Sequence, residues 1–302
     1  MSLDRLTNIL VTITLIEMMM LVGLRVTFAE IVATATSWSL VARAGVANYV
    51  LVPALAVALL IAFGAEPMVA AGFLVLAACP GAPFGPPLAA IARGNVSQAV
   101  GLMVILAGSS AIVAPLLLQL LMPRLGASEA LRIDVVGMVV TLMMTQLLPL
   151  LLGLALRHWR TPLAERLVDP LELVNKILNL SLVGLILATQ FQMLAQIRLR
   201  GFAAMFILLA GTLAIGWLAG QSGRDGRRTM ALTTSLRNVG LGLVIVTANF
   251  PGTPAVSAAL AYGIIEVLGS LLLAVWWGRQ GRSAAAASSA GPPATRKAEG
   301  RP

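Results

Sequence analysis

The stretch CPGAPFGPPLAAIARGN, residues 79–95, decides the fold of this chain. Its first ten residues contain four prolines and two glycines, the residue types that fit a helix interior least well. Yet apolar residues precede it in AAGFLVLAA, and a second apolar run, AVGLMVILAG, follows soon after. The stretch therefore predicts a helix that is interrupted inside an otherwise apolar segment.

The composition places that segment in a membrane. The 302 residues are 59% hydrophobic and only 11% charged, whereas a soluble domain has about 25% charged residues. A hydrocarbon core about 30 Å thick needs roughly 20 apolar residues per helix, and backbone groups in lipid must be bonded internally. The sequence therefore predicts an all-α polytopic membrane protein with about nine transmembrane helices: 8–26, 46–64, 68–91, 98–121, 135–156, 174–194, 202–220, 229–248 and 255–277.

The basic residues are distributed unevenly between the two ends of these spans. Of the 21 Lys and Arg residues, one side carries 15, counting those at helix ends. The positive-inside rule then predicts an N-terminus outside and a C-terminus in the cytoplasm of a bacterial-type inner membrane. The predicted outer side carries five basic residues: Arg5, Arg124, Arg132, Arg198 and Arg200. The remaining arginine, Arg237, lies within a span.

A second unusual span lies in the other half of the chain, in RRTMALTTSLRNVGLGLVIVTANF. Polar residues and an arginine at the middle of a span are costly and are usually functional. Paired interrupted helices in two halves of a chain indicate a transporter binding site, because half-helix ends expose backbone groups that hold ions or carboxylates. The alternative is that the prolines of the first stretch only kink a structural helix.

We therefore expect a single transmembrane transporter domain over 1–277, with repeat halves at about 1–156 and 157–277. Residues 278–302 are rich in Ala, Ser, Gly and Pro and are basic. Because this segment has no apolar face to bury, we expect a disordered basic cytoplasmic tail.

The two interrupted spans resemble signatures of the bile acid:sodium symporter superfamily. The resemblance is carried by CPGAPFGPPLAAIARGN, by ALTTSLRNVGLGLVIV and by VGLRV near the end of the first span. It covers about residues 10–280. It implies an inverted-repeat transporter in which two broken helices cross in a core domain that moves against a panel domain. Bacterial members look like ten spans in two repeats, so this chain resembles a form that lacks the first one.

The sodium ligands implied by the resemblance are missing here. Sodium-coupled members have a Ser-Asn pair where this chain has Gly85 and Pro86, and hydroxyl residues where it has Ala99 and Met103. Since hard cations need oxygen ligands, we expect no sodium at the family's usual two sites. At three further positions the sodium-coupled members have a Glu, a Gln and a second Gln, where this chain has Thr233, Arg237 and Asn48 in the same order.

Arg237 is the expected replacement for the missing positive charge. Its guanidinium is permanently charged and binds carboxylates in bidentate fashion, so we hypothesise that Arg237 and Asn238 bind an organic anion together with half-helix N-termini. The alternative is a structural ion pair with Glu266 or Glu17, and either acid is also a candidate proton carrier. The candidate substrate site contains Arg237, Asn238, Pro83, Gly85, Pro86, Thr233, Thr234, Ser235 and Asn48.

These patterns predict a secondary transporter of a small organic anion that is sodium-independent or proton-linked. The alternatives are a sodium-coupled symporter with altered ion sites, an arsenite-type exporter that uses Cys79, and a non-transporting membrane receptor. We expect no enzyme, metal site or cofactor, because the sequence has no metal-ligand spacing, catalytic triad or phosphate loop. The expected partners are the substrate and the lipid bilayer, not nucleic acid.

Overall fold

The computed structural model describes residues 3–125, 134–195, 197 and 199–289. Within these ranges the regular structure is helical, which confirms the all-α membrane class. The first half contains nine α-helices: α1 (Leu3–Arg25), α2 (Phe28–Ala35), α3 (Trp38–Val46), α4 (Val52–Ala62), α5 (Pro67–Ala77), α6 (Gly85–Ile91), α7 (Val96–Leu121), α8 (Val135–Leu142) and α9 (Leu148–Trp159).

The second half contains five α-helices: α10 (Thr161–Ala195), α11 (Leu199–Ala219), α12 (Arg224–Ser235), α13 (Val239–Asn249) and α14 (Pro254–Ser289). Two π-helical turns, Ala47–Leu51 and Met143–Leu147, join α3 to α4 and α8 to α9. Each is followed two residues later by a proline, Pro53 or Pro149.

Seven segments of the described chain are long and apolar enough to cross a membrane. The predicted spans 68–91 and 174–194 are not among them. The first divides into α5 and α6, and the second lies within α10. The count of nine therefore stays a prediction. The seven segments are Arg5–Arg25, Trp38–Ala62, Val96–Arg124, Val135–Trp159, Leu199–Ala219, Arg224–Asn249 and Pro254–Gln280.

Both predicted helix interruptions are present. The chain leaves helical structure after α5, at residues 78–84, and again between α12 and α13, at residues 236–238. Asn238 caps the second half-helix, since its side chain accepts a hydrogen bond from Leu241 N at 3.1 Å. Each interruption thus divides one span into two half-helices whose inner ends meet.

The Ala-Arg-Gly-Asn turn after α6 ties the first broken helix to the second. Asn95 N donates to Thr229 Oγ1 at 2.7 Å, and Arg228 Nη1 donates to Ala92 O at 3.0 Å. A side chain at Gly94 would lie 2.6 Å from Thr229 Oγ1, so only glycine fits this approach. The turn therefore fastens α6 against α12 at the predicted cytoplasmic side.

A second group of helices packs beside this core. Helix α1 lies against α9 and α10, and the α1–α9 contact is close enough that a Cβ at Gly23 would lie 2.3 Å from Leu150 O. Arg25 and Glu172 join α1 to α10 through an ion pair of 2.9 Å, and the Arg25 guanidinium lowers the pKa of Glu172. We call α1, α9 and α10 the panel group.

The last helix extends beyond the predicted domain boundary at residue 277. Helix α14 continues to Ser289, through the first part of the predicted tail. Residues 290–302, together with Arg132 and Arg198 of the charge count, lie outside the described residues. The disordered tail therefore stays a prediction for the end of the chain.

Gly81 provides a test of the first interruption. Its φ is +89°, and a Cβ there would lie 2.3 Å from Ala107 N. We expect Gly81→Ala to lower the free energy of unfolding by at least ~1–2 kcal/mol, the usual cost of a left-handed conformation for an L-residue. The measurement is the melting temperature of the purified protein in detergent.

Gly45→Ala is the matched control. Gly45 lies inside α3, and a Cβ there meets no atom within 4 Å. This change should leave the melting temperature unchanged or raise it, because Ala inside a helix is more stable than Gly by about 0.5–1 kcal/mol. Equal melting temperatures for the two variants would contradict the described geometry at Gly81.

Candidate functional site

The two interruptions touch each other through their backbones. Asn238 N, in the second break, donates to Cys79 O, in the first, at 2.8 Å. A Cβ at Gly242 would lie 2.9 Å from Leu76 Cδ1, so the two broken helices also approach closely beside this bond. Each break frees backbone groups, and here one freed donor meets one freed acceptor inside the bundle. We call this point the crossing.

Arg237 lies at the crossing and is only 1% exposed. Its Nη1 donates to Ala77 O at 3.1 Å, and its Nη2 donates to Asn48 Oδ1 and Thr234 O. These three oxygens come from α5, α12 and the π-helical turn between α3 and α4. The guanidinium is therefore enclosed by oxygen atoms from three separate parts of the chain.

Two of those oxygens lie at helix C-termini. Ala77 is the last residue of α5, and Thr234 is the second-last residue of α12. The carbonyls of a last helical turn have no partner within their own helix and carry the negative end of its dipole. The half-helix ends thus direct dipoles that stabilise the buried cation at the guanidinium.

Asn48 reaches the crossing from the π-helical turn Ala47–Leu51. Its Nδ2 donates to Ala44 O at 2.9 Å, which orients the amide so that Oδ1 faces Arg237. Asn48 is fully buried. Single π-helical turns inside α-helices are frequent at functional sites, and this one aims an amide oxygen at the cation.

Glu266 contacts Arg237 through the main chain and not through the guanidinium. Its Oε1 accepts a hydrogen bond from Arg237 N at 2.7 Å, and the side chain is 0% exposed. Within the described residues no ion pair of 4.0 Å or less joins the Arg237 guanidinium to an acid. The side-chain ion pair proposed as an alternative from sequence is therefore not formed in this conformation.

Glu17 lies away from the crossing, in the panel group. Its Oε2 accepts a hydrogen bond from Asn175 Nδ2 at 2.5 Å, so it joins α1 to α10. Asn179 Nδ2 donates to Asn175 O at 2.9 Å and extends this polar contact. Glu17 and Glu266 therefore belong to different groups of helices.

The remaining predicted residues line the two broken helices around the crossing. A Cβ at Gly85 would lie 3.5 Å from Thr233 Cγ2, so α6 and α12 touch there. Thr233 Oγ1 donates to Thr229 O at 2.9 Å, within its own helix. Pro86 is buried at the start of α6, and Pro83 is half-buried in the turn before it.

Several buried polar atoms on the second break have no hydrogen-bond partner. They are Arg237 Nε, Asn238 Nδ2 and Thr234 Oγ1. Unsatisfied buried donors of this kind are rare and call for an explanation. Two of the three atoms are N–H donors, which suit an anion.

Helix α1 of the panel group covers the second break. A Cβ at Gly240 would lie 3.0 Å from Met18 Cε and 3.6 Å from Leu15 Cδ1. Nearer the predicted outer side, Thr247 Oγ1 donates to Asn8 Oδ1 at 3.4 Å. In this conformation α1 therefore packs directly against α13 beside the second break.

Some of the residues around the crossing were not predicted from sequence. Ala77 contributes only a backbone carbonyl, for which its side chain gives no signal. Tyr262 and Ser270 lie four residues before and after Glu266, so the three side chains share one face of α14. This i, i+4 spacing of polar residues within an apolar span is visible in the sequence and could have predicted that face. Ser270 Oγ is 3.0 Å from Ser235 Oγ, which joins this face to α12.

Comparison with known proteins identifies the family. The family model of the Sodium Bile acid symporter family matches residues 12–197. The chain belongs to this family. It is therefore a membrane transporter and not an enzyme, and its apolar helices make it an integral membrane protein.

Curated relatives are similar at low identity. An uncharacterized sodium-dependent transporter of Bacillus subtilis, YocS, is 23% identical over 238 residues, which cover 78% of this chain and 72% of the relative. The rice (Oryza sativa) chloroplastic proteins BASS2 and BASS1, both probable sodium/metabolite cotransporters, are 23% identical over 276 residues and 29% over 213. The alignments cover 90% and 68% of this chain but only 64% and 51% of the rice proteins.

Asn48 gives a stability test of the oxygen cage. Asn48→Leu removes one acceptor from a buried cation, and we expect it to lower the free energy of unfolding by ~1.5–3 kcal/mol, the range for hydrogen bonds to charged groups. In the double variant Asn48→Leu/Arg237→Met no buried cation remains. We expect it to be more stable than Asn48→Leu alone.

The wild type, Asn48→Leu, Arg237→Met and the double variant form a double-mutant cycle, in which the stability of each protein is measured by its melting temperature in detergent. A coupling energy near zero between the two positions would contradict the contact between the Asn48 amide and the Arg237 guanidinium.

Proposed function

We propose that this chain is a secondary transporter of a small organic anion that works by alternating access without the family's usual sodium sites. The observation that supports this most strongly is the burial of Arg237 at the crossing, with its guanidinium donating to Ala77 O, Asn48 Oδ1 and Thr234 O. A cage of carbonyl and amide oxygens is the kind of environment that binds a monovalent cation. Here a tethered side chain supplies the positive charge.

The positions that correspond to sodium ligands favour the same conclusion. Ala99 and Met103 are buried on α7 and carry no oxygen, and Gly85 and Pro86 begin α6. Thr233 is short, and its hydroxyl donates within its own helix. These side chains do not supply the several oxygen ligands that a sodium ion needs.

The anion is proposed to bind at the second break. Arg237 Nε and Asn238 Nδ2 are buried donors without partners, and they lie where α13 begins, at the positive end of its dipole. Helix α1 covers this place through Leu15 and Met18. Binding from the predicted outer side therefore requires α1 and the panel group to move away from the crossing.

The arrangement in the membrane follows from charge distribution. We place the protein in a bacterial-type inner membrane with the N-terminus outside and the C-terminus in the cytoplasm, because 15 of the 21 Lys and Arg residues fall on one predicted side.

The rival function is a sodium-coupled symporter with altered ion sites. The printed names of the relatives describe sodium-dependent and sodium/metabolite transport, and this observation favours the rival. A direct comparison of uptake with and without a sodium gradient separates the two functions.

The experiment begins with a screen of organic acids for a higher melting temperature of the purified protein. An acid present at 100 times its dissociation constant stabilises the folded state by about 2.7 kcal/mol. Each stabilising acid is then tested, as the radiolabelled compound, for uptake into proteoliposomes. We expect uptake that does not change when an inward sodium gradient is replaced by choline.

Arg237→Gln tests the role of the guanidinium in the same assay. We expect uptake to fall by about tenfold or more, since a charge-assisted hydrogen bond contributes about 1.5–3 kcal/mol. Arg43→Gln is the control, because the Arg43 guanidinium is exposed and donates to Ser39 in its own helix. Steep sodium dependence, or wild-type uptake by Arg237→Gln, would overturn the proposal.

A further inference from the structure

A cavity of about 550 Å³ lies at the predicted outer ends of four helices outside the panel group, α4, α5, α11 and α14, which we call the core helices. Its walls are mostly apolar, and the charged residues Glu66 and Arg200 stand among its lining residues. Phe73 and Ala258 also line it, and both are buried. The cavity belongs to the core helices and not to the contact between α1 and α13.

An aromatic pair begins at the wall of this cavity, because Phe73 lines the cavity and pairs with Tyr262. The ring centroids of Phe73 and Tyr262 are 5.7 Å apart. Tyr262 is buried, and its hydroxyl interacts with the side chain of Thr212 on α11. On α14, Ala258 lies one turn before Tyr262, and Glu266 lies one turn after it. One helix face therefore leads from the cavity through Tyr262 to Glu266.

The polar face continues beyond Glu266 toward the predicted cytoplasmic side. Ser270 lies one further turn along α14, and its hydroxyl is 3.0 Å from Ser235 Oγ. Tyr262, Glu266 and Ser270 thus form a line of polar groups through a span that is otherwise apolar. Such lines of ionisable and polar side chains mark proton pathways in membrane proteins.

The two carboxylate oxygens of Glu266 have different environments. Oε1 accepts a hydrogen bond from Arg237 N at 2.7 Å, whereas Oε2 is buried without a partner. A buried oxygen without a donor is well suited to take up a proton. Among the described residues no group of three or more His, Cys, Asp or Glu side chains is placed to hold a metal ion.

Charged and titratable groups approach Glu266 from the elements around it. Arg237 comes from the second break, and Tyr262 lies on the same helix. Cys79 of the first break and Tyr49 of the π-helical turn lie beyond the guanidinium. Of these groups only the guanidinium carries a permanent positive charge.

We infer that Glu266 is the binding site of a transported proton, and that this proton enters from the outer cavity past Phe73 and Tyr262. This inference deepens the proposed function and rests on it, because it names the ion that is coupled to the anion. In the binding step, a hydronium ion that enters from the cavity loses one O–H bond and becomes water, and its proton forms an O–H bond with Oε2. The reverse transfer on the other side of the membrane restores the carboxylate.

The charges explain why proton and anion binding favour each other. With Glu266 ionised, the carboxylate and the Arg237 guanidinium sum to zero charge at the crossing. Protonation of Glu266 leaves the guanidinium as the net charge, which favours an anion at the start of α13. By linkage, a bound anion raises the affinity for the proton by the same factor.

The proton site can be tested without a known substrate. Infrared spectra of the purified protein are recorded in detergent as the pH is lowered, and a protonated carboxylic acid gives its own C=O stretching band. Because the chain has 12 Asp and Glu residues, the Glu266 component of this band is read as the difference between the wild type and Glu266→Gln. We expect this component to grow as the pH falls and to shift in frequency in Glu266→Asp. Glu165→Gln, a change at an exposed partner of Arg157, should leave the band in place.

The entry route is tested with Ala258→Phe, which places a large ring in the cavity. After a rapid pH drop we expect the Glu266 band to appear several-fold more slowly in this variant, with the same final amplitude. The same final amplitude shows that the site is intact. An unchanged rate would overturn the entry route, and identical pH-dependent bands in the wild type and in Glu266→Gln would overturn the proton site.

Failure of this inference can be distinguished from failure of the proposed function. If no organic acid is taken up but the Glu266 band titrates, the transport proposal fails and the proton site stands. If an acid is taken up but pyranine inside the vesicles records no proton influx with it, the coupling inference fails and the transport proposal stands. Acid uptake with proton influx that is lost in Glu266→Gln supports both.

Discussion

The contact on which the rest of the core depends is the enclosure of the Arg237 guanidinium by three oxygen atoms. Moving an ammonium-sized charge into a dry interior costs several kcal/mol even after relaxation, so the chain must provide compensating dipoles. Ala77 O, Thr234 O and Asn48 Oδ1 do so from three different segments. The ends of α5 and α12 and the turn before α4 are therefore fixed relative to one another by one side chain.

This constraint also explains why both spans are broken. An unbroken helix would use the Ala77 and Thr234 carbonyls in its own ladder, and neither would be free for the guanidinium. The breaks expose these acceptors, and the bond from Asn238 N to Cys79 O satisfies a donor and an acceptor that the breaks release. Gly81 is required because α7 approaches the first break closely. The prolines and glycines of residues 79–95 thus provide the carbonyl geometry that a buried cation needs.

The sequence predicts these features to different extents for physical reasons. Apolar composition, the two interruptions and the importance of Arg237 follow from local residue types, and the all-α membrane fold is confirmed. Ala77 was not predictable as a partner because its contribution is a backbone oxygen. An ion pair of the guanidinium with Glu266 or Glu17 was the alternative from sequence, and the position of α14 brings Glu266 to the main-chain N–H of Arg237. Both details depend on how distant helices pack, which no local pattern specifies.

The position of Glu266 gives the crossing a charge that one proton can change. If the Arg237 guanidinium depended on Glu266 for compensation, protonation of the acid would leave a buried cation without a partner. Helix ends and an amide accept the hydrogen bonds of the guanidinium, so in the proposed mechanism these bonds are kept while Glu266 gains or loses a proton. A permanent cation next to an independent acid therefore attracts an anion most strongly when the acid is neutral. That separation of roles makes a proton a workable substitute for an external metal cation at this crossing.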